Sequence, residues 1–308
     1  MKINNFRIKK SIKFLEKNEC IGIPTETVYG LAANAYSDEA TAKIFKIKKR
    51  PRINPLIVHY YNLETLKKDC YINANFMKLF KKFSPGPITF ILKLKKKSLI
   101  SKNVTNKKKT LAVRFPRHPV ARLLLKKIDF PLAAPSANIS TSISPVMAND
   151  VREEFGNKIK YILDGGRSQI GLESTIIDLV KKPKIVRLGG LKLENINSIL
   201  NSNLKYKSNN NLKFPGQSKL HYSPGIPIKL NIKHPKNNSA YILIQKKKYN
   251  NKNFYYLSKK RNLTEAGENL YRILRKIKKK NYKLIEVEKI PNYGIGQTIN
   301  DRLKRASS

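Results

Sequence analysis

Residues 21–59 read IGIPTETVYGLAANAYSDEATAKIFKIKKRPRINPLIVH. An apolar, strand-like start (Ile21, Ile23) runs into Pro24, and three polar side chains follow at once, Thr25, Glu26 and Thr27, before Tyr29 and Gly30. Polar groups packed this densely beside a buried strand mark a small-molecule site. Apolar Ala40, Ile44 and Ile47 then recur at helical spacing. That helix delivers Lys48, Lys49, Arg50, Pro51, Arg52 and Asn54, with proline closing it. The apolar run Pro55 to Val58 and then His59 come next. Strand, helix and strand in this order make the domain α/β. The knot of cations at the helix end has two readings, a phosphate site or plain complementation of the helix macrodipole.

Outward from this stretch, Phe83 to Leu94 (FSPGPITFILKL) is a Pro-Gly-Pro turn feeding a β-branched strand. The strand Thr110 to Phe115 carries Arg114 in an otherwise apolar run, and a buried arginine must find an acceptor. A bound amino acid and an internal Asp or Glu are both open at this point. Residues 120–128 read as a helix, and Pro131 to Pro135 as a strand opening into the hydroxyl- and amide-rich APSANISTSIS. Such a loop either offers donors to a phosphate or sugar or is a plain turn. A helix over Ala148 to Phe155 and a strand over Tyr161 to Leu163 lead to DGGRSQIGLESTIIDLV, with Ser174 and Thr175 at the mouth of its strand. The strand Lys184 to Leu188 carries Arg187 and closes on Gly189 and Gly190. There is no Walker lysine loop and no GxGxxG, so a nucleotide here is held by another device.

From about Asn195 to His234 the composition shifts to Asn, Ser, Lys, Pro and Gly, the signature of a linker. Its second half places His221, Tyr222, Ser223 and Pro224 among fixed turns, which suits a strap docked across the first domain better than a tether. Beyond it, strands over Ala240 to Gln245, Phe254 to Leu257 and Lys283 to Glu288 combine with helices over Leu263 to Lys279 and Ile295 to Arg305. The organisation expected is a first domain over 1–200, a strap over 201–235 and a small three-layer α/β, Rossmann-like domain over 236–308. Gly294 and Gly296 stand where a phosphate cradle or a simple helix entry would put them.

The chain has 308 residues and is 40% hydrophobic, enough for one large core and a smaller one, with no run able to span a bilayer. No apolar leader segment stands in the first twenty residues, so a cytoplasmic address without membrane contact is expected. Two cysteines, Cys20 and Cys70, form no CxxC, and the four histidines show no ligand spacing, so neither a disulfide framework nor a zinc site is indicated. The formal net charge of +44 draws polyanions at low salt. Because lysine runs occur everywhere among asparagines and isoleucines, compositional bias and weak tRNA contact are both open as its meaning.

The segments PTETVYGL, KKRPRINPLIVH, SPGPITF, AVRFPRHP, APSANIS, GLESTIID and HYSP, with the tail NYGIGQTINDRLKRAS, resemble the YrdC-like threonylcarbamoyl-AMP synthases in their long two-domain form. The resemblance implies a twisted open sheet with flanking helices and a nucleotidyltransferase reaction. In it L-threonine, bicarbonate and ATP give threonylcarbamoyl-AMP and pyrophosphate, and the product passes to a transferase that modifies tRNA. By the same resemblance Lys48 and Arg50 are catalytic. ATP is held by these two with Asn54, Thr110, Ser136, Asn138, Ser144, Arg187 and Tyr222. L-threonine is held by Thr27, His59, Arg114, the backbone of Ala134, and Ser174. Mg2+ arrives with ATP, bound mainly through its phosphates. The chain departs from the family pattern at Thr141 (commonly glycine), Val146 (threonine) and Leu188 (proline), which bears on the shape of the ATP loop. The rival readings are a non-catalytic RNA binder of the same fold and a carbamoyltransferase domain using another carbamoyl adenylate. The latter calls for zinc-finger and acylphosphatase-like companions that the sequence lacks.

Overall fold

The computed structural model describes residues 5–206, 221–248 and 251–307. Nine strands form the first sheet: β1 (Ile21–Ile23), β2 (Gly30–Asn34), β3 (Ile57–His59), β4 (Ile88–Lys93), β5 (Thr110–Arg114), β6 (Leu132–Ala133), β7 (Tyr161–Ile162), β8 (Thr175–Asp178) and β9 (Lys184–Arg187). Their order across the sheet is β7-β1-β2-β6-β3-β5-β4-β8-β9, with parallel and antiparallel pairs mixed. Eight helices accompany them: α1 (Asn5–Glu16), α2 (Asp38–Lys48), α3 (Leu63–Asp69), α4 (Ala74–Phe83), α5 (Lys102–Thr105), α6 (Pro119–Lys126), α7 (Ala148–Phe155) and α8 (Leu193–Leu200).

Strand alternation divides the sheet into two faces. Val58, Phe90, Leu92 and Val113 point into the main core, where residues of α2, α3, α4, α7 and α8 cover them. On the opposite face, α1 and α6 pack over Ile21, Ile23, Ala32 and Leu132. Between these regions the second face carries only a small apolar cluster, Ile57, Ile91, Ala112, Ile176 and Val186. By the same alternation His59, Thr89 and Arg114 emerge on that thinly covered face, beside Ile57, Ile91 and Ala112. Polar side chains therefore come together where no helix fills the space.

Helix α2 is built to deliver its last residues. Ser37 caps it, accepting a bond from the Ala40 N–H, and Asp38 and Glu39 occupy the first turn where the dipole favours acid. It ends at Lys49 in the left-handed conformation (φ 48°), whose N–H returns to the carbonyls of Phe45 and Lys46. Ala40, Thr41, Ile44 and Phe45 are buried, and Lys48 is buried with them at the end of that face.

The second unit is a wholly parallel four-stranded sheet, in the order β10 (Ile228–Leu230), β13 (Ile285–Val287), β11 (Ala240–Leu243), β12 (Phe254–Tyr256). Helices α9 (Leu263–Lys278) and α10 (Ile295–Ala306) pack together against it. Strand β10 lies inside the stretch read from composition as linker; three residues flanked by Pro and Asn give too little pattern to be seen. The part of the proposed strap from Lys207 to Leu220 lies outside the described residues. Gly294 takes φ 52° at the entry of α10, and a Cβ on Gly296 would lie 1.9 Å from the Pro291 carbonyl oxygen. These glycines serve the helix entry and its close packing. The apolar core of this unit also takes in Val28, Ile143, Val146 and Leu172 of the first, so the two units share buried surface.

Candidate active site

A buried cavity sits on the thinly covered face of the large sheet. Arg50, His59, Arg114, Ala134, Ser136, Ser174, Arg187, His221 and Tyr222 line it, together with Thr25 and Glu173. Of the residues that the resemblance assigns to the substrates, eight therefore converge on one space, drawn from β3, β5, β9, the end of α2 and three loops.

Two guanidinium groups dominate its electrostatics. Arg50 donates from Nε to the Asn54 carbonyl and from Nη2 to the Pro55 carbonyl, both at 3.0 Å. Arg187 donates to the Ser174 carbonyl (3.1 and 2.9 Å) and to its Oγ (3.1 Å), while Ser174 Oγ also meets Thr89 Oγ1 at 2.7 Å. Neither arginine has an ion-pair partner among the described residues. Burial, and then the neighbouring Arg187, push the Arg50 guanidinium down to about 9, which leaves it charged at neutral pH. Arg187 feels the Glu173 carboxylate, which is itself ion-paired to Arg302, and Arg50 has no counter-charge, so the cavity keeps a surplus of buried positive charge that suits an anion.

Of the two acceptors left open for Arg114 in the sequence, the internal carboxylate is the one found. Arg114 Nη2 pairs with Glu26 at 2.9 Å, and the other Glu26 oxygen accepts the Arg117 N–H at 3.0 Å. Burial raises the Glu26 carboxyl pKa, but Arg114 and the Arg117 amide outweigh it and hold the pKa below the usual value. Arg114 Nε has no partner, and neither has His59 Nδ1. Burial and the Arg114 charge keep His59 well below the usual histidine range, hence neutral. The Ala134 N–H is spent on the Ile57 carbonyl, which leaves its own carbonyl to offer.

Other residues from the sequence reading stand behind the lining. Lys48 Nζ donates to the carbonyls of Ser136 (2.6 Å) and Asn138 (2.5 Å), so the ammonium clasps the APSAN loop from beneath. Burial and Arg50 push its pKa well below the usual lysine range. Asn138 spends Nδ2 on the Ile139 and Ser142 carbonyls and keeps Oδ1 without a partner, as does Asn54. Thr27 meets Thr25 Oγ1 at 2.8 Å, and Ser144 donates to Glu173 at 2.6 Å. Thr110 is not brought to the cavity; with Pro55 and Ala112 it borders a separate gap of about 10 Å³.

The roof is the strap. Tyr222, fully buried at φ 64°, stacks on Tyr271 at 5.7 Å between ring centroids and adjoins the His221 ring at 4.0 Å. The Ser223 N–H donates to the Thr141 carbonyl at 2.8 Å, tying the strap to the loop below. Burial pushes Tyr222 up to about 12 and His221 down to about 3, so both are neutral, and Tyr222 OH and His221 Nδ1 lack partners. The free space beneath it is about 40 Å³, room for a few waters and far below the several hundred Å³ of a typical ligand pocket.

Sequence reasoning missed the residues that brace this roof. Glu173 accepts from Ser144 Oγ, from Tyr271 OH (2.9 and 3.0 Å) and from Arg302 Nε (2.9 Å). Burial alone would raise the Glu173 carboxyl, but Arg302, Arg187 and Ser144 bring it down to about 2. Arg302, from α10, also donates to the Leu188 carbonyl at 2.5 Å and lies 4.8 Å over the Tyr222 ring. The GLEST segment put Glu173 in view, but nothing local marks a partner 129 residues away.

A family model described as telomere recombination matches residues 13–189, and one described as threonylcarbamoyl-AMP synthase, C-terminal domain, matches residues 191–308. The chain is 34% identical to the threonylcarbamoyl-AMP synthase of Pyrococcus abyssi over 99% of its own length and 95% of that protein's. It is 33% identical to the enzyme of the same name from Bacillus subtilis, over 99% and 94%. In structure it is similar to P. abyssi Sua5 complexed with L-threonine, with a TM-score of 0.91 at 33% identity, covering 100% of this chain and 96% of that one.

Proposed function

The chain belongs to the threonylcarbamoyl-AMP synthase family and is an enzyme of the nucleotidyltransferase kind, and from that premise we propose how its own residues perform the synthesis. L-threonine docks with its carboxylate on Arg114, whose Nε is free while Glu26 fixes the other arm. His59, Ser174, Thr27 and the Ala134 carbonyl hold the rest of the amino acid. ATP lies across the Ser136–Asn138 loop, with Asn54 and Ser144 as further contacts and Tyr222 as its lid. Thr110 reaches it only if its strand end shifts toward the cavity.

The amine of threonine captures bicarbonate as a carbamate, with loss of water. A carbamate oxygen attacks the α-phosphorus, the bond to the β-phosphate oxygen breaks, and pyrophosphate leaves. Negative charge builds on phosphate oxygens throughout, and Arg50 and Arg187 supply the compensating charge from a dry site where it is worth most. Lys48 preorganises the loop that cradles the nucleotide, and no covalent nucleophile is needed. A magnesium ion would be held mainly by the ATP phosphates and would supply further charge neutralisation there. Glu173, which lines the cavity, and Glu26, behind Arg114, are committed to Arg302 and Arg114, and no group of three His, Cys, Asp or Glu among the described residues offers a metal cage.

The observation that carries this reading is a cavity lined by three arginines, Arg50 with no ion-pair partner and Arg114 with a free Nε, against one lining carboxylate, Glu173, already paired with Arg302. The product is handed to a tRNA threonylcarbamoyl transferase in the cytoplasm; no helix among the described residues is long and apolar enough to cross a membrane. The test is pyrophosphate release by the purified chain. Release requires L-threonine and bicarbonate together; release indifferent to threonine would refute the reading.

A further inference from the structure

The second sheet has a cavity of its own, of about 510 Å³, to which the chemistry above assigns nothing. It opens at the carboxyl ends of the parallel strands, where Asn231 to Pro235 follow β10, Ile244 to Lys247 follow β11, and Glu288 and Lys289 follow β13. Strands β11 and β13 are neighbours whose outgoing connections diverge. The chain leaves β11 toward β12 on one side, and leaves β13 for α10, which packs on β10 at the other. In open parallel sheets the crevice at such a point is where ligands bind.

The lining has two characters. Ile232, Pro235 and Tyr241 give a largely apolar wall, with the Tyr241 hydroxyl engaged by the Ile232 carbonyl at 2.6 Å. Lys233, Arg261 and Lys289 give a cationic rim, and none of the three has an ion-pair partner among the described residues. One carboxylate, Glu288, lies in the cavity, but it is neutralised by Lys247 at 2.9 Å and by the Ile244 N–H at 3.1 Å. The rim is thus left with a net positive charge. Arg261 holds φ 62° and Asn231 φ 61°, left-handed conformations that cost an arginine in particular. The first amides of α9 are already capped by Asn262, so side chains must do the anion binding.

We propose that this cavity is a second, non-catalytic binding site for an organic phosphate of mononucleotide size. Its ring lies on the apolar wall and its phosphate between Arg261, Lys233 and Lys289. A concave site with an apolar wall suits a nucleoside phosphate; a run of RNA backbone needs only an open basic surface.

The experiment is equilibrium dialysis of the full chain with labelled AMP at about 0.15 M salt, where weak surface attraction is screened. Parallel arms use inorganic phosphate and a single-stranded RNA oligomer. Two AMP equivalents are expected per chain, falling to one in Arg261→Glu/Lys289→Glu, with threonine-dependent pyrophosphate release unchanged. The exposed pair Lys67→Glu/Lys68→Glu, with the same change of charge, is expected to keep two. AMP binding unchanged in Arg261→Glu/Lys289→Glu overturns the proposal, as does equal loss in both double variants. Binding of inorganic phosphate as tight as that of AMP would deny the apolar wall its role. RNA binding lost in the first double variant without a second AMP equivalent would make the face an RNA contact instead. Because synthesis is read in the same samples, failure of this site is distinguishable from failure of the catalytic reading.

Discussion

Arg50 is the residue on which the proposed chemistry rests most heavily. Its guanidinium is held by two carbonyls and faces the cavity without a counter-ion, so Arg50→Ala is expected to lower turnover about a hundredfold. A loss under threefold at saturating substrate would show it to be only a helix terminus. Thr141 makes a prediction of the opposite sign. It stands where the family commonly has glycine, and it holds φ 77°, which a β-branched residue tolerates badly. Thr141→Gly is expected to stabilise the fold by about 1 kcal/mol, read by denaturant unfolding. Unchanged or reduced stability would mean the loop has relaxed around threonine. At this scale the sequence was informative where a residue's neighbours in the chain are also its neighbours in space. Arg50 and Asn54 are such a case. Lys48 was legible as a cation at the site, but its downward turn onto the Ser136 and Asn138 carbonyls depends on a loop some ninety residues on.

Among elements, the strap and α10 work as one device. Tyr222 closes the cavity, Arg302 lies over its ring, and Glu173 ties Arg302 to the floor through Ser144 and Tyr271. Tyr222→Ala is expected to cost at least tenfold in turnover of ATP while threonine binding, assigned in the proposal to Arg114 and His59, changes less than threefold. Equal losses in both would mean the lid shapes the whole site. Glu173 also sets a pH dependence. Its folded pKa of about 2 lies below the ordinary 4.5, so its stabilisation is complete above about pH 5 and is lost as pH falls through 4.5 toward 2. At neutral pH that is on the order of 3 kcal/mol. Arg302→Met strands the carboxylate and is expected to cost about 3–5 kcal/mol, much of it regained in Glu173→Gln/Arg302→Met. Were the double variant no better than the single, the cost would come from lost packing of the arginine. Most strands and the two long second-unit helices could be read from periodicity. Strand β10 could not, since three residues carry no period, and the Glu173–Arg302 pair links elements with no sequence relation.

For the whole molecule, the second unit is a structural part of the enzyme and more than an appendage. It buries Val28, Ile143 and Val146 of the first unit and supplies Arg302 to the catalytic roof. A truncation near Asn203 exposes that apolar surface and an unpaired Glu173, so it is expected to be poorly soluble as well as inactive, a stronger effect than lid removal alone. The +44 charge entered the sequence reading as either RNA contact or bias. The cations that matter to the proposed site are the few buried ones, which composition cannot distinguish from solvated lysines. The measurement that tests the central claim most directly is mass spectrometry of the product formed from ATP, L-threonine and 13C-labelled bicarbonate by the full chain. The expected result is an AMP adduct of threonine carrying one 13C, formed with one pyrophosphate per adduct and absent in Arg50→Ala. An adduct without the label, or ATP consumed to ADP with no adduct, would contradict the account.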